Sequence, residues 1–255
     1  MNKATIAIFV LGSLFGIQPV QGRTWQDIRQ SGELRIGVPG DYAPLAFVDK
    51  QGKLAGFDID MARSLGHELR LNVSFVPSDW PNLSSDLAAD KFDMAMGGVT
   101  ETPDRKARFA LSAPVMKNGK IALTRCDRVG IFSKPEAIDR AGVRVIVNPG
   151  GTNQAYVDSQ IKYAAIIRTQ NNIASLQGIR DGSADIMFTD LIEGNYYQNQ
   201  EPGIFCVASR DILPGTAGYK VYMMAKDKPF LLEAVNKLLA GGAKIRLAKQ
   251  WRLAQ

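Results

Sequence analysis

The segment with the densest chemistry is Asn-Pro-Gly-Gly-Thr-Asn, residues 148–153, which directly follows the apolar run Val143–Val147. This order predicts a buried strand, a Pro-Gly-Gly turn and a helix that begins near Asn153. Glycine lets backbone N–H groups approach a ligand closely, and the first turn of a helix favours an anion. Because Asn148, Thr152 and Asn153 add polar side chains, the segment is interpreted as a carboxylate-binding site rather than as an ordinary connection.

A second segment, Thr189–Glu193, places two carboxyl groups three residues apart after an apolar run. Asp190 and Glu193 would share one face of a helix that begins here, and the helix dipole favours the charged form of Asp190. One ionised and one protonated carboxyl would allow acid–base chemistry. The same Asp-x-x-Glu spacing is that of a capping box, and the spacing alone favours the capping interpretation.

Arg105 lies in the first turn of a helix predicted after the Gly97-Gly98 turn, with Thr102 as N-cap and Pro103 as the first helical residue. A guanidinium in this place can bind a carboxylate through two parallel hydrogen bonds. The alternative is an ordinary solvated arginine, and the glycine turn that aims the helix start favours the binding role.

Four further residues have two open interpretations each. Trp80 could form an aromatic wall beside a ring-shaped ligand, or it could pack in the core. The hydroxyl of Tyr42 could face a ligand, or its ring could simply pack. Lys120 and Lys220 could add positive charge to a ligand site or lie on the surface. The residue types leave all of these alternatives open.

Short apolar runs alternate with segments of helical periodicity along the whole chain. The predicted strands cover residues 34–38, 73–76, 94–96, 143–147, 166–167, 186–188 and 220–224, and the pattern breaks at residues 121–124. The predicted helices begin at Asp58, cover residues 83–89, begin at Thr102, begin near Asn153, and cover residues 173–180 and 230–251. Asp58 is predicted to be an N-cap. The β-α-β-α order predicts an α/β fold in which mostly parallel sheets are flanked by helices.

The two halves of the chain repeat one pattern. Residues 86–96 form a helix, a turn, an aspartate and an apolar strand, and residues 177–187 do the same. We therefore predict two similar lobes, the first made of residues 23–122 and 222–255, the second of residues 123–221.

The chain would cross between these lobes twice, near residues 121–126 and near residues 218–224. Ligands of such sheets bind beyond the carboxyl ends of the strands. One cleft between the lobes is therefore predicted. Its walls would be formed by Asp41, Trp80, Thr100, residues 148–153 and Asp190.

The N-terminus has the composition of a targeting segment. Lys3 precedes the mostly apolar run Ala4–Ile17, and small residues occur at 20–22 before Arg23. Since a membrane span needs about 20 apolar residues, a single spanning anchor is the weaker alternative. We predict a signal peptide over residues 1–22, export to the periplasm, and no membrane span after cleavage.

Composition excludes several classes of site. The formal net charge is +6, and the basic residues are spread along the chain without the aromatic interleaving of a nucleic-acid groove. This favours a small anionic ligand and no nucleic acid. The single histidine, His67, and the lack of a Cys/His cluster argue against a metal site and a histidine triad. Cys126 and Cys206 predict one disulfide in an exported chain, with two buried thiols as the alternative.

Several motifs together resemble the family 3 periplasmic solute-binding proteins, which bind polar amino acids. They are Gly-Phe-Asp-Ile-Asp at 56–60, Phe-Asp-Met-Ala-Met at 92–96, Thr-x-x-Arg at 102–105 and Gly-Thr-Asn at 151–153. The resemblance covers nearly all of the chain after the targeting segment. It implies the two-lobed type II fold of periplasmic binding proteins, with the ligand in the cleft.

A narrower resemblance is to the cyclohexadienyl dehydratases of that family. It rests on segments 40–44, 78–83, 118–120, 147–153 and 189–193 and on the paired cysteines. Such enzymes remove water and carbon dioxide from prephenate to give phenylpyruvate, and convert arogenate to phenylalanine. The resemblance implies a small anionic substrate, prephenate or arogenate, and no metal or other cofactor.

The resemblance also implies roles for single residues. Arg105 would hold a carboxylate, Thr152 would add hydrogen bonds, and Asp190 would meet a ligand ammonium, as in amino-acid binders. Glu193 would be the proton donor. The pocket would be shaped by Asn148, Asn153, Trp80 and Lys120.

Two functions follow. The first is an exported dehydratase of prephenate and arogenate with Glu193 as general acid. The second is a non-catalytic receptor for an amino acid or carboxylate, and only this alternative has an ABC permease as partner. Motifs common to the whole family do not separate them, whereas Glu193, the Trp-Pro-Asn run at 80–82 and residues 148–153 favour the enzyme.

Overall fold

The computed structural model describes residues 22–209 and 211–253. Within them the chain forms two five-stranded sheets covered by helices, a three-stranded sheet and a two-stranded ribbon. The predicted signal peptide lies outside the described residues except for its last position, Gly22. None of the described helices is both long enough and apolar enough to cross a membrane.

The described strands are β1 (Glu33–Val38), β2 (Asp41–Tyr42), β3 (Ala46–Val48), β4 (Leu54–Ala55), β5 (Asn72–Pro77), β6 (Met94–Ala95), β7 (Ala110–Leu111), β8 (Met116–Asn118), β9 (Lys120–Arg125), β10 (Arg144–Val147), β11 (Ala165–Arg168), β12 (Ile186–Asp190), β13 (Phe205–Val207), β14 (Gly218–Lys220) and β15 (Met223–Met224). The described α-helices are α1 (Trp25–Ser31), α2 (Phe57–Leu69), α3 (Leu83–Ala88), α4 (Pro103–Arg108), α5 (Val129–Phe132), α6 (Gly151–Gln160), α7 (Asn172–Arg180), α8 (Leu191–Gln200), α9 (Pro229–Ala240) and α10 (Gly242–Gln250). Short 3-10 turns occur at Cys126–Arg128 and Pro135–Ala137.

The two large sheets have the same design. The first has the order β5-β1-β6-β15-β7, in which β1 pairs parallel with β5 and β6 while β15 pairs antiparallel with β6 and β7. The second has the order β11-β10-β12-β9-β13, in which β10 pairs parallel with β11 and β12 while β9 pairs antiparallel with β12 and β13. The repeated pattern in the sequence thus corresponds to two similar lobes, and the predicted α/β fold is confirmed.

The central strands of the two large sheets, β6 and β12, are buried. All five residues of β12 are buried, as expected for a strand covered on both faces by helices. On the first sheet, Ile36 of β1 and Met94 of β6 pack with Phe57 of α2 in one apolar cluster. Disulfide Cys126–Cys206, with sulfur atoms 2.07 Å apart, joins the end of β9 to β13 and confirms the predicted pairing.

The connection between the two lobes includes a ribbon that the sequence did not reveal. β8 and β14 pair antiparallel, with Asn118 opposite Gly218 and Met116 opposite Lys220. The predicted strand 220–224 is wrong as a single element, because it is divided between β14 and β15. The predicted crossing at 121–126 lies within β9 and the turn that follows it. The lobe boundaries themselves stay a prediction.

One predicted helix cap is also wrong. The N-cap of α2 is Gly56, not Asp58. The buried Asp58 carboxylate instead accepts hydrogen bonds from the backbone N–H groups of Gly97 and Gly98, at 3.0 and 2.9 Å, and from the hydroxyl of Tyr222 at 2.8 Å. Burial raises the pKa of Asp58 to about 6. The hydrogen bonds from Gly97 and Gly98 to the Asp58 carboxylate hold in place the glycine turn that precedes α4.

Candidate active site

A cavity lies where loops from the two large sheets meet. It is lined by Tyr42, Trp80, Gly98, Thr100, Arg105, Asn148, Gly150, Gly151, Thr152, Asn153, Asn172, Asp190 and Lys220. Asn148 directly follows β10, and Asp190 ends β12. The carboxyl ends of the strands therefore supply this wall, as the predicted fold requires.

The segment 148–153 forms one side of the cavity. Gly150 and Gly151 have φ values of 69° and 67°, a left-handed conformation that favours glycine. α6 begins at Gly151, two residues before the predicted start at Asn153. The Asn153 Nδ2 donates to Asn148 Oδ1 at 3.1 Å. Both asparagines and the intervening Thr152 line the cavity.

Asp190 is enclosed by three donors, and one of them, Lys120, also donates to Thr152 and Asn153. Lys120 Nζ lies 2.8 Å from its Oδ1, and Lys220 Nζ lies 2.6 Å from its Oδ2. The Tyr42 hydroxyl also donates to Oδ2, at 2.6 Å. The two lysines are 5% and 2% exposed, so a surface role is excluded for both. The packing interpretation of Tyr42 is incomplete, because its hydroxyl reaches across to the second lobe.

The electrostatics of this cluster follow from its charges. Burial opposes ionisation of Asp190, but the ammonium groups of Lys120 and Lys220 outweigh burial and hold the pKa of this carboxyl well below its usual range. Burial lowers the pKa of Lys220, while the Asp190 charge acts in the opposite direction. Asp190 is therefore an anion that is already neutralised by protein groups, with one positive charge in excess.

Arg105 adds a third positive group. It lies in the first turn of α4, where Thr102 accepts a hydrogen bond from the Arg105 N–H at 3.2 Å as the predicted N-cap. The residue is 8% exposed, and its Nη1 donates to the Thr100 carbonyl at 2.7 Å. Burial lowers the pKa of the guanidinium. The Thr100 hydroxyl accepts from Lys220 Nζ at 2.9 Å, which places two cations beside one threonine.

Two aromatic rings complete the wall. Tyr42 and Trp80 pack edge to face, with ring centroids 5.7 Å apart. The Trp80 Nε1 donates to Asp41 Oδ1 at 2.9 Å. Trp80 both packs on the first-lobe core and lines the cavity, so the two interpretations of this residue are compatible. Asp41 does not belong to the lining, contrary to the sequence prediction, but it holds a residue that does.

Glu193 is completely buried in α8. Its Oε1 accepts from Asn172 Nδ2 at 2.6 Å, and its Oε2 accepts from the Thr189 hydroxyl. The pKa of Glu193 is raised to about 8. Burial is the largest cause, the hydrogen bonds from Thr189 and Asn172 act in the opposite direction, and the charges of Asp41 and Asp190 act in the same direction as burial. The carboxyl is therefore protonated at neutral pH.

The capping interpretation of Thr189–Glu193 is wrong. Asp190 is the N-cap residue of α8, but its side chain makes no capping hydrogen bond because its oxygens are bound by the lysines and Tyr42. Glu193 is not among the residues that line the cavity, whereas its hydrogen-bond partner Asn172 is.

A second cavity adjoins the first. Thr100, Thr152 and Asp190 line both cavities. Lys120 lines the second one, and its Nζ also donates to Thr152 Oγ1 at 2.8 Å. Arg105 and Lys220 thus line the first cavity, and Lys120 lines the second.

Residues 34–249 match the sequence profile of the bacterial extracellular solute-binding proteins, family 3. The chain belongs to this family. Its fold is accordingly the type II fold of periplasmic binding proteins, with two α/β lobes and a cleft between them. The resemblance inferred from the sequence motifs is confirmed.

Relatives of this solute-binding protein include both an enzyme and binding proteins. The chain is 37% identical to a cyclohexadienyl dehydratase from Pseudomonas aeruginosa, over 80% of this chain and 75% of that protein. It is 26% identical to a probable amino-acid ABC transporter-binding protein from Haemophilus influenzae, over 69% and 66% of the two chains. An ancestral amino-acid-binding protein, described as a precursor of cyclohexadienyl dehydratase, superposes with a TM-score of 0.81 at 32% identity, over 89% and 98% of the two chains.

Asn172 is the functional-site residue that the sequence prediction missed in this solute-binding protein. It lines the cavity and is bonded both to Asp41 and to Glu193. Its neighbour Asn171 caps α7 by accepting from the Ala174 N–H at 2.8 Å. Two successive asparagines before a helix are explained by capping alone, so the sequence carried no signal that the second one faces the cleft.

Proposed function

We propose that this protein is a periplasmic cyclohexadienyl dehydratase, which converts prephenate to phenylpyruvate and arogenate to phenylalanine. The observation that carries the proposal is the fully buried Glu193, whose pKa is raised to about 8 next to a cavity-lining residue. A general acid works best when its pKa is near the working pH. A protonated carboxyl in this place can give its proton to a departing hydroxyl group.

The charges around the cavities support a dicarboxylate substrate. The buried groups Lys120, Lys220 and Arg105 supply three positive charges and buried Asp190 one negative charge, a balance of +2 (3 − 1). Glu101, which also lines the second cavity, forms an ion pair with Lys106 at 3.6 Å. Prephenate carries two carboxylates. An amino-acid ligand brings an ammonium group as well, and the oxygens of Asp190 are already bound by the two lysines. Because arogenate also carries an ammonium group, this arrangement favours prephenate over arogenate as the substrate.

The proposed reaction is an elimination that makes an aromatic ring. The bond from the ring to its carboxylate breaks and carbon dioxide leaves, while the electron pair moves through the ring and the bond to the ring hydroxyl breaks. That hydroxyl takes the proton of Glu193 and leaves as water. Glu193 remains as a carboxylate and regains a proton from solvent. Since no net oxidation occurs, the balance needs no redox partner.

Contacts between the lobes support a closed reaction chamber. Tyr42 on the first lobe donates to Asp190 on the second, and Asn172 on the second donates to Asp41 on the first. Closure of such a cleft excludes water and completes the arrangement of catalytic groups.

The second candidate is a non-catalytic receptor that delivers an amino acid or carboxylate to an ABC permease. Membership of family 3 and the similarity to an amino-acid transporter-binding protein favour it. Under this alternative Glu193 is a buried structural residue, and any bound prephenate is released unchanged.

The test is to incubate the purified protein with prephenate and measure phenylpyruvate. We expect turnover, and we expect Glu193→Gln to lower kcat by roughly 100-fold to 10,000-fold while prephenate still binds. Glu68→Gln, on the exposed face of α2, is the matched control and keeps wild-type turnover. Thermal melting checks that each variant is folded. Binding of prephenate by the wild type without conversion would favour the receptor.

A further inference from the structure

The side chain of Asn172 connects the two lobes to the buried acid. It is 1% exposed and begins α7, which packs on the second sheet. Its backbone N–H donates to Asp41 Oδ2 at 3.1 Å, and its Nδ2 donates to the Asp41 carbonyl at 3.0 Å. The same Nδ2 donates to Glu193 Oε1 at 2.6 Å. One amide group therefore bonds simultaneously to the first lobe and to the proposed proton donor.

The orientation of this amide follows from its partners. The backbone carbonyl of Asp41 can only accept, so the atom that faces it must be Nδ2 rather than Oδ1. The Oδ1 atom is then buried without a hydrogen-bond partner among the described residues. A buried acceptor left unpaired carries a free-energy cost. Because Asn172 lines the cavity, a donor on the bound molecule can remove that cost.

We propose that Asn172 is a positioning residue, whose Oδ1 accepts a hydrogen bond from the ring hydroxyl of the substrate while its Nδ2 holds the Glu193 carboxyl, and that both contacts are set when Asp41 closes against it. This inference rests on the proposed function. A hydroxyl whose hydrogen points to Oδ1 has its lone pairs free for the proton of Glu193. The new O–H bond forms as the C–O bond breaks, and water leaves.

The donor role of Nδ2 has a second consequence. A hydrogen bond from Nδ2 stabilises the carboxylate that remains on Glu193 after proton transfer. Without Asn172 this carboxylate loses one of its two described donors, the other being the Thr189 hydroxyl. The pKa of Glu193 therefore rises when Asn172 is removed. A residue with a purely structural role in α7 would not change that titration.

The experiment compares Asn172→Ala with Asn171→Ala. The two residues are adjacent, and Asn171 is exposed and caps α7 without touching Glu193. We expect Asn172→Ala to lower kcat for prephenate about 10-fold to 100-fold, the range that loss of one buried hydrogen bond at the reacting group gives. We also expect the alkaline limb of the kcat/KM profile to move to higher pH. Asn171→Ala should change the melting temperature but neither kcat nor that limb.

A titration of the Glu193 carboxyl by carbon-13 NMR gives a readout that needs no turnover. The Glu193 pKa should move upward in Asn172→Ala and stay in place in Asn171→Ala. If the wild type converts prephenate but the two variants behave alike in kcat and in the titration, the inference on Asn172 is overturned and the proposed function stands. If the wild type binds prephenate without converting it, the proposed function is overturned, and the titration alone decides whether Asn172 controls Glu193.

Discussion

Two carboxyl groups three residues apart are held in opposite protonation states by their partners. Asp190 lies between two ammonium groups, and these hold its pKa well below the usual range despite burial. Glu193 has only neutral donors, and burial raises its pKa to about 8. Buried acids next to cations ionise, whereas buried acids with uncharged partners stay neutral. The pair is therefore suited to separate roles, with Asp190 as a fixed charge and Glu193 as a proton donor.

The first prediction at this scale concerns the pH dependence of turnover. Because the proposed mechanism requires protonated Glu193, kcat/KM for prephenate should fall as pH rises through about 8. Initial rates of phenylpyruvate formation across the neutral and alkaline range measure this limb. Residual activity of Glu193→Gln should lack it, since glutamine does not titrate. A wild-type profile that stays level well above pH 8 would contradict the general-acid role.

What the sequence could not predict at this scale is which residues become partners. The carboxylates, the glycine turn and Arg105 were found from local spacing. The lysines that bind Asp190 are 70 and 30 positions away from it in the sequence, so no local pattern pairs them. The spacing of Asp190 and Glu193 therefore favoured a capping box, because the distant lysines could not be taken into account. The capping interpretation is wrong because these lysines bind the Asp190 carboxylate.

At the scale of elements, the Pro-Gly-Gly turn of the second lobe lies against Trp80 and Pro81 of the first lobe, which precede α3. A Cβ atom placed on Gly150 would lie 2.5 Å from the backbone nitrogen of Pro81. A Cβ on Gly151 would instead lie 3.7 Å from the Trp80 ring, an ordinary contact. The two glycines have nearly the same φ, so they carry the same backbone cost on substitution.

This difference gives a prediction about closure. Gly150→Ala should hold the lobes apart, and Gly151→Ala should not, because only the first new methyl group meets the backbone of the opposite lobe. We expect Gly150→Ala to weaken prephenate binding about 5-fold to 140-fold more than Gly151→Ala, since clashes with a fixed backbone cost about 1–3 kcal/mol. Calorimetric affinities and the change in radius of gyration on ligand addition measure both effects. Equal affinities and equal compaction of the two variants would refute the contact.

Most elements were predictable because their periodicity is strong. The parallel strands and the helices that connect them came from alternation of apolar runs with helical spacing. The ribbon of β8 and β14 was not predicted, because three-residue strands are too short to show a period of two. α6 begins at Gly151, two residues earlier than expected.

At the scale of the whole molecule, the closed cleft buries titratable groups from both lobes. Asp190, Lys120 and Lys220 are each at most 5% exposed, and Glu193 and Asp58 are at most 2% exposed. Removing one member of such a cluster leaves another buried charge without its partner, which is strongly destabilising. Replacing a neutral buried acid with an amide leaves no buried charge unpaired. Glu193→Gln can therefore be used to measure how much the Glu193 carboxyl lowers the free energy of unfolding.

The last prediction is the effect of pH on that cost. The pKa of Glu193 is about 8 in the folded protein against an ordinary 4.5, so the folded state binds more protons between these values and loses stability as pH rises. Glu193→Gln lacks this loss. Its free energy of unfolding relative to wild type should increase from about pH 4.5 to above pH 8, by on the order of 5 kcal/mol as an upper value. The opposite trend is expected for Glu201→Gln at the end of the same helix. The hydrogen bond from Arg180 lowers the pKa of Glu201, so this carboxylate stabilises the folded protein above its ordinary pKa of 4.5. The free energy of unfolding of Glu201→Gln relative to wild type should therefore decrease as pH rises through the acidic range. Urea unfolding of the three proteins at acidic and alkaline pH measures both trends, and trends of the same sign would show that Glu193 is not held neutral in the folded protein.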